Sequence, residues 1–120
     1  MWCAFLKAKI HRATVTDANL EYRGSISLSP DLLEASGIHP FERVEIYNIT
    51  NGERFATYAI QGKQGEVCIN GAAAWKARPR DKVIIAAYTW LSEEERLKFE
   101  PRVVMVNERN GIEEVLRGII

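Results

Sequence analysis

Few side chains in this 120-residue sequence are placed to do chemistry, and they are scattered. Gly24-Ser25 lies in a short segment, Tyr22-Arg23-Gly24-Ser25, between two strand-like runs. A Gly-Ser pair ordinarily marks a reverse turn, because glycine supplies φ > 0 and serine bonds its own local backbone. The same pair has a second chemistry. A serine hydroxyl held against the preceding carbonyl carbon can attack it, if the loop is strained and a donor stabilises the oxyanion. Lys9 and His11 fall on one strand face, about 7 Å apart at the usual rise. Arg54 and Tyr58 share another, about 13 Å apart. Each pair also fits an ordinary half-exposed strand, so periodicity alone does not assemble a site. No nucleophile elbow, P-loop, GxGxxG or HExxH is present. The Glu93-Glu94-Glu95 run reads as a solvated helix surface, and Cys3, Cys68, His11 and His39 show no metal-ligand spacing.

These residues need elements to hold them. Residues 5–16 read as a long strand, with Leu6, Ala8 and Ile10 on one face and Lys7, Lys9 and His11 on the other. Asp17-Ala18-Asn19 is a turn-forming cluster, Leu20 to Arg23 a short extended piece, and Ile26-Ser27-Leu28 a strand. Ser29-Pro30-Asp31 opens a helix with an N-cap, a proline at the first turn and an acid at the positive end, and Gly37 stops it. Asn51-Gly52 joins Val44–Thr50 to Glu53–Ile60 in a hairpin, because both turn residues accept φ > 0. There Thr57 points opposite to Arg54, Ala56, Tyr58 and Ile60. A turn at Gly62–Gly65 leads to the short strand Glu66–Ile69. Asn70 to Trp75, with three alanines, has small residues that let the backbone approach something closely, and reads either as a one-turn connector packed on the core or as a substrate-contacting loop.

Val83–Leu91 is apolar on both faces, which suggests burial on both sides. Ser92 to Glu95 is a capping box whose helix ends before Pro101. Val103–Val106 is another strand, Asn110-Gly111 a turn, and Ile112–Ile120 a weak strand or frayed end. Many short strands with tight turns and short helices indicate a mostly-β barrel.

Composition sets outer bounds. The length suits one domain, spanning 1–120. Sixteen basic and sixteen acidic residues give zero net charge, which argues against nucleic-acid binding and permits self-association. No apolar run reaches the length of a membrane span, and the start is not a signal peptide, so a cytoplasmic location is expected. In that reducing setting Cys3 and Cys68 are expected as unpaired, buried or semi-buried thiols.

Taken together, Lys9-Ile10-His11-Arg12-Ala13, Tyr22 with Gly24-Ser25, Asn51-Gly52-Glu53-Arg54-Phe55 with Thr57-Tyr58, and Asn70-Gly71-Ala72-Ala73-Ala74 resemble the pyruvoyl-dependent aspartate 1-decarboxylases of pantothenate synthesis. Order and spacing agree across almost the whole chain. The resemblance implies a six-stranded double-psi β-barrel with short peripheral helices, assembled as a homotetramer with active sites between subunits. It implies autocatalytic cleavage at Gly24-Ser25 into a β chain, 1–24, and an α chain, 25–120. Ser25 would become a covalent pyruvoyl group, with neither a metal nor PLP. Thr57 would support that step.

L-aspartate would then form a Schiff base at the group from Ser25, lose its α-carboxylate as CO2 and leave as β-alanine, with Tyr58 as proton donor. By the same resemblance Arg54 and Lys9 bind substrate carboxylates, Asn70 orients the reacting carbonyl, and Gly71, Ala72 and Ala73 line the substrate along with Thr57. His11, Tyr22, Tyr47 and Ile84 are site neighbours. The chain departs from some members at Tyr47 (tryptophan there), at Trp75 and at Ile26. Two other readings stay open: a pyruvoyl decarboxylase for another amino acid such as glutamate, and a non-catalytic β-barrel binding module. The sequence does not say whether maturation needs an activating protein.

Overall fold

The computed structural model describes residues 1–119. Nine strands form one mixed sheet: β1 (Trp2–Thr14), β2 (Asp17–Asn19), β3 (Ile26–Leu28), β4 (Arg43–Asn48), β5 (Arg54–Gln61), β6 (Val67–Asn70), β7 (Lys82–Ser92), β8 (Arg102–Val106) and β9 (Ile112–Arg117). Their lateral order is β2-β6-β3-β5-β4-β7-β1-β8-β9. The mostly-β expectation holds, but the count is nine rather than six. The additional strands include β2 at one end of the order and β8 and β9 at the other.

The sheet curls around one core. Ile10, Ile26, Leu28, Ile46, Ile69 and Ile85 come from five different strands and are fully buried. Each such side chain contributes about 1.5–3 kcal/mol. Beyond β1, Thr16 donates its backbone N–H to the Val67 carbonyl at 2.8 Å, which ties the end of β1 back to β6. The ends of the six-strand run β6-β3-β5-β4-β7-β1 are therefore linked.

Local signals and local structure agree in most places. Helix α1 (Pro30–Ser36) begins after Ser29 and stops at Gly37, whose φ of 75° is left-handed and whose N–H reaches the Leu33 carbonyl. Ser29 does not cap with its side chain, however. Its hydroxyl bonds Asp31 and accepts from the Gly65 N–H. Helix α2 (Glu93–Arg96) has the full Ser92/Glu95 capping box.

Other expectations change. Asp17-Ala18-Asn19 is a strand, because pairing with Cys68–Asn70 of β6 overrides its turn propensity. The turn falls instead in the segment Leu20–Arg23, where the Asn19 side chain accepts the Glu21 N–H. The β4–β5 hairpin has a five-residue loop, 49–53, in which Gly52 has positive φ and Asn51 does not. The Asn48 side chain accepts the Thr50 and Asn51 N–H groups there. Strand β7 is buried on both faces only near Ile85 and Ala86; Tyr88 and Trp90 are exposed within one chain. Cys3 is exposed rather than buried, while Cys68 is buried, and both are free thiols. The tail is a well-paired strand through Arg117; Ile120, the last residue of the expected tail, lies outside the described residues.

Candidate active site

Strand β3 pairs antiparallel with β6, Ile26 opposite Ile69 and Ser27 opposite Cys68. One step further, the Asn70 N–H donates to the Ser25 carbonyl at 2.9 Å. Ser25 is 1% exposed. Its φ is 87°, and that of Gly24 is 69°. Glycine tolerates this region, but a serine held there stores about 1–3 kcal/mol of strain. The Asn70 amide nitrogen donates to Ser25 Oγ at 3.1 Å and to Ser27 Oγ at 3.0 Å. Asn70 Oδ1 accepts from the Cys68 thiol at 3.2 Å.

Two further residues hold the bend from outside. Tyr58 donates its hydroxyl to the Arg23 carbonyl at 2.9 Å. Gly71 opens the 3-10 helix Gly71–Lys76 with φ of 66°. A Cβ there would lie 2.4 Å from the Gly24 nitrogen and 2.6 Å from its Cα, so only glycine fits. The alanine segment is thus a short helical connector whose first residue approaches the Gly24 backbone closely. Tyr22 joins Ser27, Cys68 and Asn70 on the wall of a pocket of about 440 Å3.

A second group lies on the outer face of β1, β7, β4 and β5. Arg54 is paired with Tyr47, and Tyr47 with Ile84. The Arg54 guanidinium sits 4.3 Å from the Tyr47 ring centroid, a cation–π contact. The Tyr47 hydroxyl hydrogen-bonds that of Tyr88 at 2.8 Å. Burial and this bond push the Tyr47 phenol up to about 12, so it stays protonated. Tyr47, Arg54 and Ile84 line a depression of about 290 Å3. Lys9 stands on β1 opposite Ala86. His11 follows on the same strand with its Nδ1 buried and unpartnered. Burial, then the charges of Lys9 and Arg12, hold its pKa below the ordinary histidine value.

The structure therefore brings Tyr22, Gly24, Ser25, Tyr58, Asn70 and Gly71 together, and separately Tyr47, Arg54 and Ile84. Among the described residues no hydrogen bond joins the groups. Lys9 and His11 lie three strands from Arg54 in the sheet order. Thr57 is half-buried opposite Val44 and makes no hydrogen bond to the bend. Ala72 is exposed and Ala73 half-buried beside Gly71. Sequence reasoning missed Ser27, Cys68 and Tyr88. Cys68 carried a usable signal, since it lies two residues from Asn70 on one strand and hence on the same face; Ser27 did not, because Ser25 lies outside β3 at positive φ.

Fold and site define a small mixed-sheet β protein with a strained, buried Gly-Ser bend and a separate aromatic face carrying an arginine. The family model for aspartate decarboxylase matches residues 1–113. An aspartate 1-decarboxylase of Sulfurimonas denitrificans is 54% identical over 99% of this chain and 100% of its own length. One from Bdellovibrio bacteriovorus is 55% identical over 92% of this chain and 90% of its own. One from a Hydrogenobaculum species is 55% identical over 95% and 91%. The chain belongs to the aspartate decarboxylase family.

Proposed function

We propose that this enzyme converts L-aspartate to β-alanine and CO2 for pantothenate synthesis, using a pyruvoyl group that it makes from Ser25. Aspartate decarboxylation rests on family membership. The pyruvoyl reading is carried by one observation: Ser25 is buried, left-handed in φ, and held at both its carbonyl and its hydroxyl by Asn70. These residues suit the group, since the precursor serine is intact and no side chain crowds its Gly24 neighbour.

Maturation follows from that geometry. Ser25 Oγ bonds to the Gly24 carbonyl carbon as the Gly24–Ser25 C–N bond breaks, and the hydroxyl proton ends on the freed amine. The product is an ester between Gly24 and the Ser25 oxygen. Loss of the Ser25 Cα proton and cleavage of the Cβ–Oγ bond then release residues 1–24 with a new carboxylate. One water replaces the remaining nitrogen of residue 25, which leaves as ammonia. Strain at Ser25 favours the first step, because breaking the Gly24–Ser25 bond abolishes the left-handed φ of Ser25. Thr57 supports the oxyanion in this reading.

When formed, a pyruvoyl ketone supplies an electron sink for the pair left by the departing carboxylate. The chain's own residues do the rest. Arg54 grips a substrate carboxylate with its planar fork, and the Tyr47 ring holds that fork in place. Lys9 adds positive charge, and Tyr58 delivers the proton after the Arg23 carbonyl that it now bonds has moved away. Asn70, Gly71, Ala72 and Ala73 line the substrate, with His11, Tyr22 and Ile84 around them.

The assembly that suits this reading is a double-psi β-barrel homotetramer with sites shared between subunits. The six-strand run tied back by Thr16, together with its parallel pair β3–β5, supports the barrel. The separation of the two groups supports a shared site, as do Tyr88, Trp90 and Trp2, exposed beside the arginine face. Among the described residues no helix is long and apolar enough to cross a membrane, and a cytoplasmic location fits the two free thiols.

Intact-mass spectrometry tests the reading. Two fragments, 1–24 and 25–120, are expected, the larger lacking a free amino terminus, together with β-alanine formation from aspartate. Ser25→Ala should stay full-length and inactive. A single full-length mass after warm incubation, or an active Ser25→Ala variant, would overturn the pyruvoyl reading.

A further inference from the structure

We propose that Cys68 and Ser27 are positioning residues for self-cleavage: together they fix the side-chain amide of Asn70 with its nitrogen toward the Ser25 hydroxyl and its oxygen turned away. The inference rests on the reading of Ser25 given above.

The four side chains form a square across two strands. Ser27 lies directly opposite Cys68, and Ser25 is bonded to Asn70 one ladder step on. Ser27 and Cys68 face each other across the ladder, and Asn70, two residues from Cys68 on β6, shares its face; Ser25, just before β3, is turned onto the same group by its left-handed φ, as its bond to Asn70 shows. All are nearly or fully buried, so water does not compete for their bonds.

A side-chain amide has almost the same shape in its two orientations, and its neighbours decide between them. Here each amide atom has a fixed task. Oδ1 accepts from the Cys68 thiol, and the two Nδ2 protons go to Ser25 and Ser27. The arrangement needs Cys68 as a thiol rather than a thiolate. Burial, then the charges of Asp17 and Glu66, push that thiol up to about 11, so it carries its proton throughout the neutral range.

The orientation matters to both bond changes at Ser25. Electron density rises on Oγ when the hydroxyl loses its proton during attack. It rises there again when the Cβ–Oγ bond breaks and the oxygen departs with the Gly24 carboxylate. An N–H donor aimed at that oxygen favours both changes. The flipped amide would present a carbonyl oxygen to the same growing charge and oppose them. Cys68 disfavours the flip by donating to Oδ1, since its sulfur would accept an amide proton only weakly. Ser27 holds the amide in place by taking its second proton. Neither residue has another role in the chemistry described above.

The test is the rate at which freshly purified full-length chain yields the 1–24 and 25–120 fragments, followed by intact mass without any substrate. Cys68→Val fills the space without a donor and should slow cleavage about tenfold. Cys68→Ser keeps a donor and should cleave within about twofold of the parent. Ser27→Ala should slow cleavage about threefold. Cleavage of Cys68→Val at the parent rate, or of Cys68→Ser as slowly as Cys68→Val, overturns the proposal. Should Cys68→Val fail to fold by circular dichroism, Ser27→Ala decides alone, and an unchanged rate overturns it. A parent chain that never cleaves overturns the Ser25 reading itself, a distinguishable result.

Discussion

The Ser25 bend and the Arg54 face are built in opposite ways. Ser25 at the bend is buried, and the polar atoms around it are matched by neighbours: Asn70 on Ser25 and Ser27, Cys68 on Asn70, and, at the exposed edge, Tyr58 on the Arg23 carbonyl. The face is open, and its arginine is exposed, resting on a tyrosine ring. Breaking a backbone bond is an intramolecular event. One chain can supply it by holding a serine in strained geometry away from water. Capturing a charged substrate requires a cation that solvent can reach. The reading above, which shares the site between copies, would let a substrate meet the bend of one chain and the arginine of another.

The comparison can be broken at either end. Gly71→Ala should have the largest effect, because the added methyl meets the Gly24 backbone at 2.4 Å and φ there is left-handed. Cleavage should fall below detection by intact mass, with a lower melting temperature. Cleavage at the parent rate would show that the close approach is not what holds the bend. Arg54→Ala should raise KM for aspartate about 10- to 100-fold while the chain still cleaves, since hydrogen bonds to a charged group carry that much. If cleavage also stops, the two regions are not separable.

The smallest effect belongs to a pair in neither region. Lys7 bonds both carboxylate oxygens of Glu42, at 2.7 and 2.9 Å. Burial raises the Glu42 pKa, but Lys7 and the His39 backbone N–H outweigh it, leaving the carboxyl below its ordinary value. A depressed carboxyl stabilises the fold above its unfolded pKa and loses that contribution as pH falls through the folded value. Lys7→Met should therefore melt about 3 °C lower at neutral pH. The gap should close in acid, below the ordinary glutamate pKa. Melting curves against pH check this, and a gap that persists in acid would assign the effect to packing instead.

Much of the local structure was legible. The Pro30 start and Gly37 stop of α1, the Ser92 capping box and the alternation along β5 depend on neighbours within a few residues. The failures share a cause. Asp17–Asn19 became a strand because β6, some fifty residues on, offered it a partner. Arg12 adopts φ of 63° beside an irregularity in β1–β7 pairing, which no pattern in residues 5–16 marked. Asn110 looked like a simple turn residue. It is buried, and its side chain bonds the Thr14 backbone and the Gly65 carbonyl, pinning the β8–β9 turn to β1.

By itself the sequence determined the residue types: a glycine before a serine, a glycine after an asparagine, an arginine and a tyrosine four apart on one strand. These were enough for the family resemblance. It did not determine that Ser25 sits at positive φ, that Asn70 faces it, or that Cys68 and Ser27 complete the square. Those depend on the β3–β6 register and the parallel β3–β5 pairing. Core burial of Ile26, Leu28, Val67 and Ile69 selects that register over a shift by one residue, which would turn the apolar set outward.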